Sequence, residues 1–185
     1  MKTILFPVLV SLAFFNSSTA QTCREVVRDA SGRVVQTLER QKQAGDTERT
    51  VIRDASGRLI GTATTNSSFG STARTDFRDA SGRLTGSATT QTNSYSNSSS
   101  TTYRDASSRL TGTASTTHNL GSGARTQFRD ASGRLTGTQT STGHCYGPST
   151  VTQRDASGRL IGTSTLSGKC SGSTSTPFPP GELKK

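Results

Sequence analysis

The chain is poor in the residues from which a deep hydrophobic core and an active site are usually built. Its 185 residues include no Trp, one Met, three Cys and two His, and only 28% are hydrophobic. Acidic residues are also few, with 12 Asp and Glu against 22 Lys and Arg. These shortages exclude a conventional large core and leave little material for catalysis. Ser and Thr, by contrast, number 60, a bias found in disordered chains and in polar repetitive β-structure.

The first twenty residues have the pattern of a secretory signal peptide. Lys2 provides a basic start, residues 4–15 form a mainly apolar run too short to span a bilayer, and Ala20 ends a stretch of small residues suited to cleavage. Residues 1–20 are therefore predicted to be a signal peptide, and the mature protein to be secreted, periplasmic or at the cell surface. No later stretch is apolar enough for a transmembrane span, so none is expected.

A repeat of about 25 residues dominates the rest of the chain. Each copy contains Arg-Asp-Ala-Ser-Gly-Arg-Leu or a close variant, beginning at Arg28, Arg53, Arg78, Arg104, Arg129 and Arg154. Such regular spacing predicts a repeat architecture. We expect one β-repeat domain over residues 21–178, including a truncated seventh unit, followed by a C-terminal tail over residues 179–185. The atypical first and last units are expected to cap the stack.

Each unit is predicted to be a strand, a tight turn and a second strand. After the motif, Leu59, Gly61 and Ala63 alternate with polar residues, which is the two-residue period of a strand. Asp-Ala-Ser-Gly suits a type I turn in which Gly takes the left-handed conformation of a bulged hairpin. Ser108 replaces this Gly in the fourth copy, at an expected cost of roughly 1 kcal/mol.

The aligned units predict thin core columns rather than a thick interior. One column is aromatic in three copies (Phe77, Tyr103 and Phe128), one is Leu in five copies, one lies nine residues before each motif Arg, and a Gly and an Ala column follow the Leu. The predicted fold is all-β, a repeat protein of six strand-turn-strand units. A parallel β-solenoid is favoured over an antiparallel hairpin meander.

The motif resembles the YD repeats of the Rhs family. Tyr103-Arg104-Asp105, and Phe-Arg-Asp in two other copies, precede Gly-Arg-Leu-Thr or a close variant, as the family's aromatic residue and Asp precede Gly-Arg-Leu. The resemblance covers about residues 24 to 178, although an Arg stands where the family usually places Tyr. It implies β-hairpin sheets that build shells or cell-surface stalks and have no catalysis of their own. The strand-turn-strand organisation also resembles that of curli-type repeats.

The cysteines distinguish the two predicted geometries. Cys145 and Cys170 are 25 residues apart and so occupy the same column of consecutive units. Stacked solenoid units would bring them about 4.8 Å apart, within reach of a disulfide, whereas a meander would hold them two strands apart. A Cys145 to Cys170 disulfide is therefore predicted. Cys23 is left over, and it could be free, pair between chains or exchange with the other two.

Charge is also distributed by the repeat, which holds 12 of the 17 Arg and 6 of the 8 Asp. One interpretation is structural, with the Arg residues interleaved with a row of Asp. The other is an anion-binding row made of Arg53, Arg58, Arg78, Arg83, Arg104, Arg109, Arg129, Arg134, Arg154 and Arg159. Without aromatic platforms beside them, such residues would bind polyanions in a salt-sensitive way and would not select a nucleic-acid sequence.

These observations predict a secreted, non-enzymatic structural or adhesive protein of the cell surface or extracellular matrix. The alternatives are a binding module for acidic polymers, such as polysaccharide, lipopolysaccharide or DNA, and an amyloid-like fibre subunit that self-associates through open end strands. No catalytic, metal or cofactor site is expected, because His118 and His144 fall at non-equivalent positions of the repeat and the metal-ligand spacings Cys-x-x-Cys and His-x-x-x-His do not occur.

Overall fold

The computed structural model describes residues 22–67, 71–119, 123–143 and 149–168. The predicted signal peptide, the C-terminal tail, most of the truncated seventh unit, Cys145 and Cys170 lie outside these residues. The described chain forms twelve β-strands: β1 (Thr22–Asp29), β2 (Val34–Lys42), β3 (Thr47–Asp54), β4 (Leu59–Ser67), β5 (Thr72–Asp79), β6 (Leu84–Asn93), β7 (Ser98–Asp105), β8 (Leu110–Asn119), β9 (Gly123–Asp130), β10 (Leu135–Thr142), β11 (Ser149–Asp155) and β12 (Leu160–Gly168). No helix in this part of the chain is long and apolar enough to cross a membrane.

The twelve strands form a closed antiparallel barrel in which each strand pairs with its neighbours in the chain. The last strand, β12, pairs with the first, β1, so that Val27 lies opposite Ser164. The all-β prediction of repeated strand-turn-strand units is confirmed, but the predicted β-solenoid is wrong. Because the tight turn in each unit pairs its two flanking strands with one another, equivalent residues of successive units lie two strands apart instead of stacking directly.

The Asp-Ala-Ser-Gly segment forms the turn that the sequence predicts. In the third copy the Gly82 N–H donates to the Asp79 carbonyl at 3.0 Å, and the Asp79 N–H donates to the Arg83 carbonyl at 3.0 Å. Gly82 has a φ of 83°, and Ser108, at the same place in the fourth copy, has a φ of 65°. The pairing register then shifts between Phe77 and Arg78, as expected for a bulged hairpin.

Each hairpin is offset by two residues from the one before it. Val26 lies opposite Thr37, which in turn lies opposite Arg53. Arg53 is the second-unit equivalent of Arg28, so it is aligned across the sheet with Val26, the residue two before Arg28. The same offset recurs at every junction, including the closure, where Thr152 and Arg28 both lie opposite Thr163. In a closed barrel a uniform offset corresponds to a tilt of the strands relative to the barrel axis. Because the offset is the same at every junction, the hairpins are related by an approximate six-fold rotation about this axis, without translation along it.

The interior of the barrel is lined by alternating large and small residues. In one continuous stretch of wall from β4 to β9, the aromatic residue on each odd strand lies opposite an Ala on the preceding even strand and a Gly on the following one. The aromatic and Ala residues form the buried cluster Ala63, Phe77, Ala88, Tyr103, Ala114 and Phe128. The aromatic and Ala columns predicted as core are therefore confirmed. The Leu column is not core, because Leu110 is 37% exposed and the others are half-buried, and Tyr95 of a further predicted column is fully exposed.

The first hairpin departs from this pattern inside the barrel. Gln36, Leu38 and Arg40 point inward where the other units mostly have Gly, Ala or Ser, and Thr or Ser, and all three are at most 5% exposed. Arg40 forms a buried ion pair with Glu25, at 2.5 Å from Nη2 to Oε2, and the Ser164 hydroxyl donates to Glu25 Oε1 at 2.7 Å. The interior beside β12, β1 and β2 thus contains a buried ion pair, whereas the interior from β4 to β9 contains the aromatic and Ala cluster together with hydrogen-bonded Thr pairs.

Candidate anion-binding crown

All six Asp-Ala-Ser-Gly turns lie at the same end of the barrel. They connect each odd strand to the next even strand, and Thr22 and Gly168, where the described chain begins and ends, are at the other end. We call the twelve arginines that flank these turns the arginine crown: Arg28, Arg33, Arg53, Arg58, Arg78, Arg83, Arg104, Arg109, Arg129, Arg134, Arg154 and Arg159. Eleven of them are exposed and Arg53 is half-exposed.

The first arginine of each turn is held in place by its own turn. Arg78 Nη1 donates to the Gly82 carbonyl at 2.9 Å, and equivalent bonds of 2.8 to 3.1 Å occur in the other five turns. The second arginine is fixed by its backbone, because the Arg83 N–H donates to Asp79 Oδ1 at 3.0 Å. Each turn thus presents one guanidinium that is held by a turn carbonyl and a second one that is exposed to solvent.

The carboxylate of the aspartate in each turn accepts hydrogen bonds from the same turn. Asp79 Oδ1 accepts from the Ser81 N–H, the Ser81 hydroxyl and the Arg83 N–H at 2.7 to 3.0 Å. The Ser hydroxyl, followed by the backbone N–H groups and the charge of the second Arg, holds the pKa of Asp29, Asp54, Asp79, Asp130 and Asp155 below the ordinary value of 3.8. These carboxylates are therefore ionised at neutral pH.

The predicted interleaving of Arg and Asp as ion pairs is not what the structure shows. Among the six turns, all of which are described, a single Arg to Asp contact comes within 4 Å, between Arg58 Nε and Asp54 Oδ2 at 3.8 Å, and both groups are solvent-accessible. Such a pair contributes little. The carboxylates cap the turns, so the guanidinium groups stay available to an external anion.

The crown carries a net charge of +6, from twelve guanidinium groups and six carboxylates. With strands about 4.8 Å apart and tilted by roughly 35 to 45°, the ring is roughly 20 Å across and neighbouring turns are roughly 10 to 12 Å apart. Because the hairpins are related by rotation without rise, the six turns lie at one level. The result is a flat, positively charged rim on one end of the barrel.

The ten arginines predicted as an anion-binding row all belong to this crown, but as a closed ring and not as a stripe. Arg28 and Arg33 were missed because the first unit was interpreted as an end cap. A closed barrel has no ends to cap, so the first turn is equivalent to the other five. The identical Arg-Asp-Ala-Ser-Gly-Arg sequence of that turn was the signal that could have placed these two residues.

Cys23 lies at the other end of the barrel, opposite Gly168. Cys23 is buried beside Val151 and Leu166. Cys145 and Cys170 lie outside the described residues, so their pairing stays a prediction. Its basis, direct stacking of successive units, does not apply to the barrel, and a bond from Cys23 to either residue would compete with it.

Metal-ligating groups and buried charged side chains are the other features of the described residues that could form a functional site. No group of three His, Cys, Asp or Glu side chains in this part of the chain is placed to hold a metal ion. The charged side chains buried in the barrel wall, Glu25 and Arg40, are paired with each other. The arginine crown is therefore the strongest candidate for a functional site.

Comparison with known proteins adds no functional assignment. No family model, no curated protein and no solved structure matches this chain.

Proposed function

We propose that the protein is a non-enzymatic binding module for acidic polymers, and that attachment through the arginine crown serves the adhesive or structural role expected of a secreted protein. The observation that carries this proposal is the sixfold repetition of two arginines around one self-capped aspartate. Every unit adds the same positive charge at the same end of the barrel. A repeated weak contact gives strong multivalent attachment when several units bind at once.

The fibre alternative has less physical support. Its basis was an open strand at each end of a stack, and in the closed barrel β1 and β12 pair with each other. The resemblance to Rhs-type repeats is consistent with a non-enzymatic role, because those repeats form β-hairpin scaffolds that have no catalysis of their own.

The test is retention on heparin with two charge-matched variants. The crown variant replaces the second arginine of four turns, Arg58, Arg83, Arg134 and Arg159, with Gln. The wall variant replaces the exposed arginines Arg24, Arg49, Arg74 and Arg125, which lie on the outer wall, with Gln. Both lose four charges.

If the crown binds, its variant elutes from heparin at a clearly lower salt concentration than the wall variant, because fewer counterions are released. Equal elution of the two variants would show that net charge alone decides binding and would contradict the proposal. Circular dichroism checks that both variants retain the β-structure of the parent.

A further inference from the structure

We infer that the crown docks end-on onto an anionic lipid surface, with phosphate-bearing headgroups as its ligands. This inference rests on the proposed function, because it uses the same twelve arginines. It also specifies the shape of the partner, which is a flat surface and not a linear polymer.

The geometry of the ring favours a surface. Because the six turns lie at one level, a plane normal to the barrel axis can touch all of them together. A straight polymer crossing a ring roughly 20 Å wide can lie over only two or three turns. Neighbouring turns are also farther apart than the Debye length of about 8 Å at physiological salt, so each turn needs its own local anion. A layer of charged headgroups provides one beneath each turn.

The chemistry of the rim also favours phosphate in a lipid setting. Guanidinium groups bind phosphate through paired hydrogen bonds, and the second arginine of each turn has an exposed side chain. Three large hydrophobic side chains are exposed in the described part of the chain, and two of them, Leu110 and Ile161, lie at the rim close to Arg109 and Arg159. Apolar side chains among basic ones suit the interface of a membrane more than the backbone of a nucleic acid.

The described strands begin and end on the side of the barrel opposite the crown. The strands begin at Thr22 and end at Gly168, both on the side opposite the crown. The connections on the crown side are the six short turns themselves. A flat membrane can therefore approach the turns without meeting a longer loop between strands.

The test measures sedimentation of the full mature protein with vesicles of phosphatidylcholine containing about 30 mol% phosphatidylglycerol, at about 0.15 M salt. Vesicles of phosphatidylcholine alone are the lipid control, and the crown and wall variants are the protein controls. We expect the parent protein to bind the anionic vesicles and not the neutral ones. The crown variant should lose at least tenfold in apparent affinity, and the wall variant no more than about threefold.

The apolar part of the rim is tested with Ile161→Thr, since Thr occupies this position in three other units. Loss of the apolar side chain should weaken vesicle binding about threefold and leave heparin elution unchanged. An unchanged vesicle affinity would contradict contact of the rim with lipid.

Failure of this inference can be told from failure of the proposed function. If the parent protein is retained by heparin in a crown-dependent way but ignores anionic vesicles, the crown binds polymers and the lipid inference is wrong. If crown and wall variants weaken equally on both, both proposals are wrong.

Discussion

The wall from β4 to β9 and the first hairpin fill the interior of the barrel in different ways. In the wall, Phe77, Tyr103 and Phe128 fill the space left by Ala and Gly on the neighbouring strands. In the first hairpin the sizes are reversed, because Val27 is the small residue and Leu38 the large one. The turn, however, is the same in both regions. The interior can therefore vary while the crown does not, and the crown is the property that all six units share.

The largest expected effect comes from making the first hairpin resemble the wall at one position. Arg40→Thr introduces the residue found at this column as Thr65, Thr90 and Thr116, but it leaves Glu25 buried without its partner. We expect a loss of about 3 to 5 kcal/mol in the free energy of unfolding, measured by urea denaturation.

The double variant Glu25→Thr with Arg40→Thr is the matched control. It removes both charges, so most of the loss should be recovered. A single variant that costs less than about 1 kcal/mol would show that the ion pair is dispensable and that the two regions differ less than the structure indicates.

The Gly column provides the next comparison. A Cβ added at Gly86 would lie 2.6 Å from the Arg104 carbonyl oxygen, whereas Gln36 carries a side chain at the equivalent place in the first hairpin. Gly86→Ala should therefore lower the free energy of unfolding by about 1 to 3 kcal/mol. Gln36→Ala should change it by less than about 1 kcal/mol, because Gln36 Oε1 is buried with no hydrogen-bond partner among the described residues and its removal offsets the lost packing. Both free energies are measured by urea denaturation. If the two variants lost equal stability, the backbone spacing at Gly86 and at Gln36 would not differ as described.

The fourth turn tests the uniformity of the crown. Ser108 holds a left-handed φ of 65°, so Ser108→Gly should raise the free energy of unfolding by about 1 kcal/mol. The reciprocal change, Gly82→Ser, should lower it by a similar amount. If thermal denaturation shows opposite signs, the two turns do not share the geometry described here.

The smallest effect is the dependence of stability on pH. The pKa of Asp79 is below 3.8 in the folded protein, so its stabilising contribution is fully present above that value and is lost as the pH falls through the lowered pKa. Asp79→Asn should therefore show a shallower loss of stability on acidification below about pH 4 than the parent protein. Ser81→Ala, which removes the largest cause of the shift, should give an intermediate slope. Parallel acid denaturation curves for all three proteins would contradict the self-capped turn.

Local structure was predictable from the sequence because its causes are local. Asp79, Ser81 and Gly82 determine a bulged type I hairpin within five residues, and the strained Ser108 was identified for the same reason. The buried aromatic column followed from its position beside the motif. The Leu column was misplaced because Leu84 lies where the strand emerges from the turn, and its burial depends on how the rim is formed.

Closure of the barrel and the crown it creates were not predictable in this way. Whether six hairpins stack, spread or close depends on the two-residue offset between them, which arises from the bulges and the strand twist together. No single residue encodes that offset. The predicted turn did, however, require its two strands to pair with each other, and this argued for hairpins over stacked parallel units.

The central claim is that β12 pairs with β1, and a distance measurement across this junction tests it most directly. Paramagnetic labels at Val26 and Thr165, which lie opposite each other and point away from the interior, would report the separation. The closed barrel predicts strong dipolar broadening, because the two backbones are about 5 Å apart. An open sheet of twelve strands would hold the labels roughly 50 Å apart, and a distance of that size would contradict both the barrel and the crown.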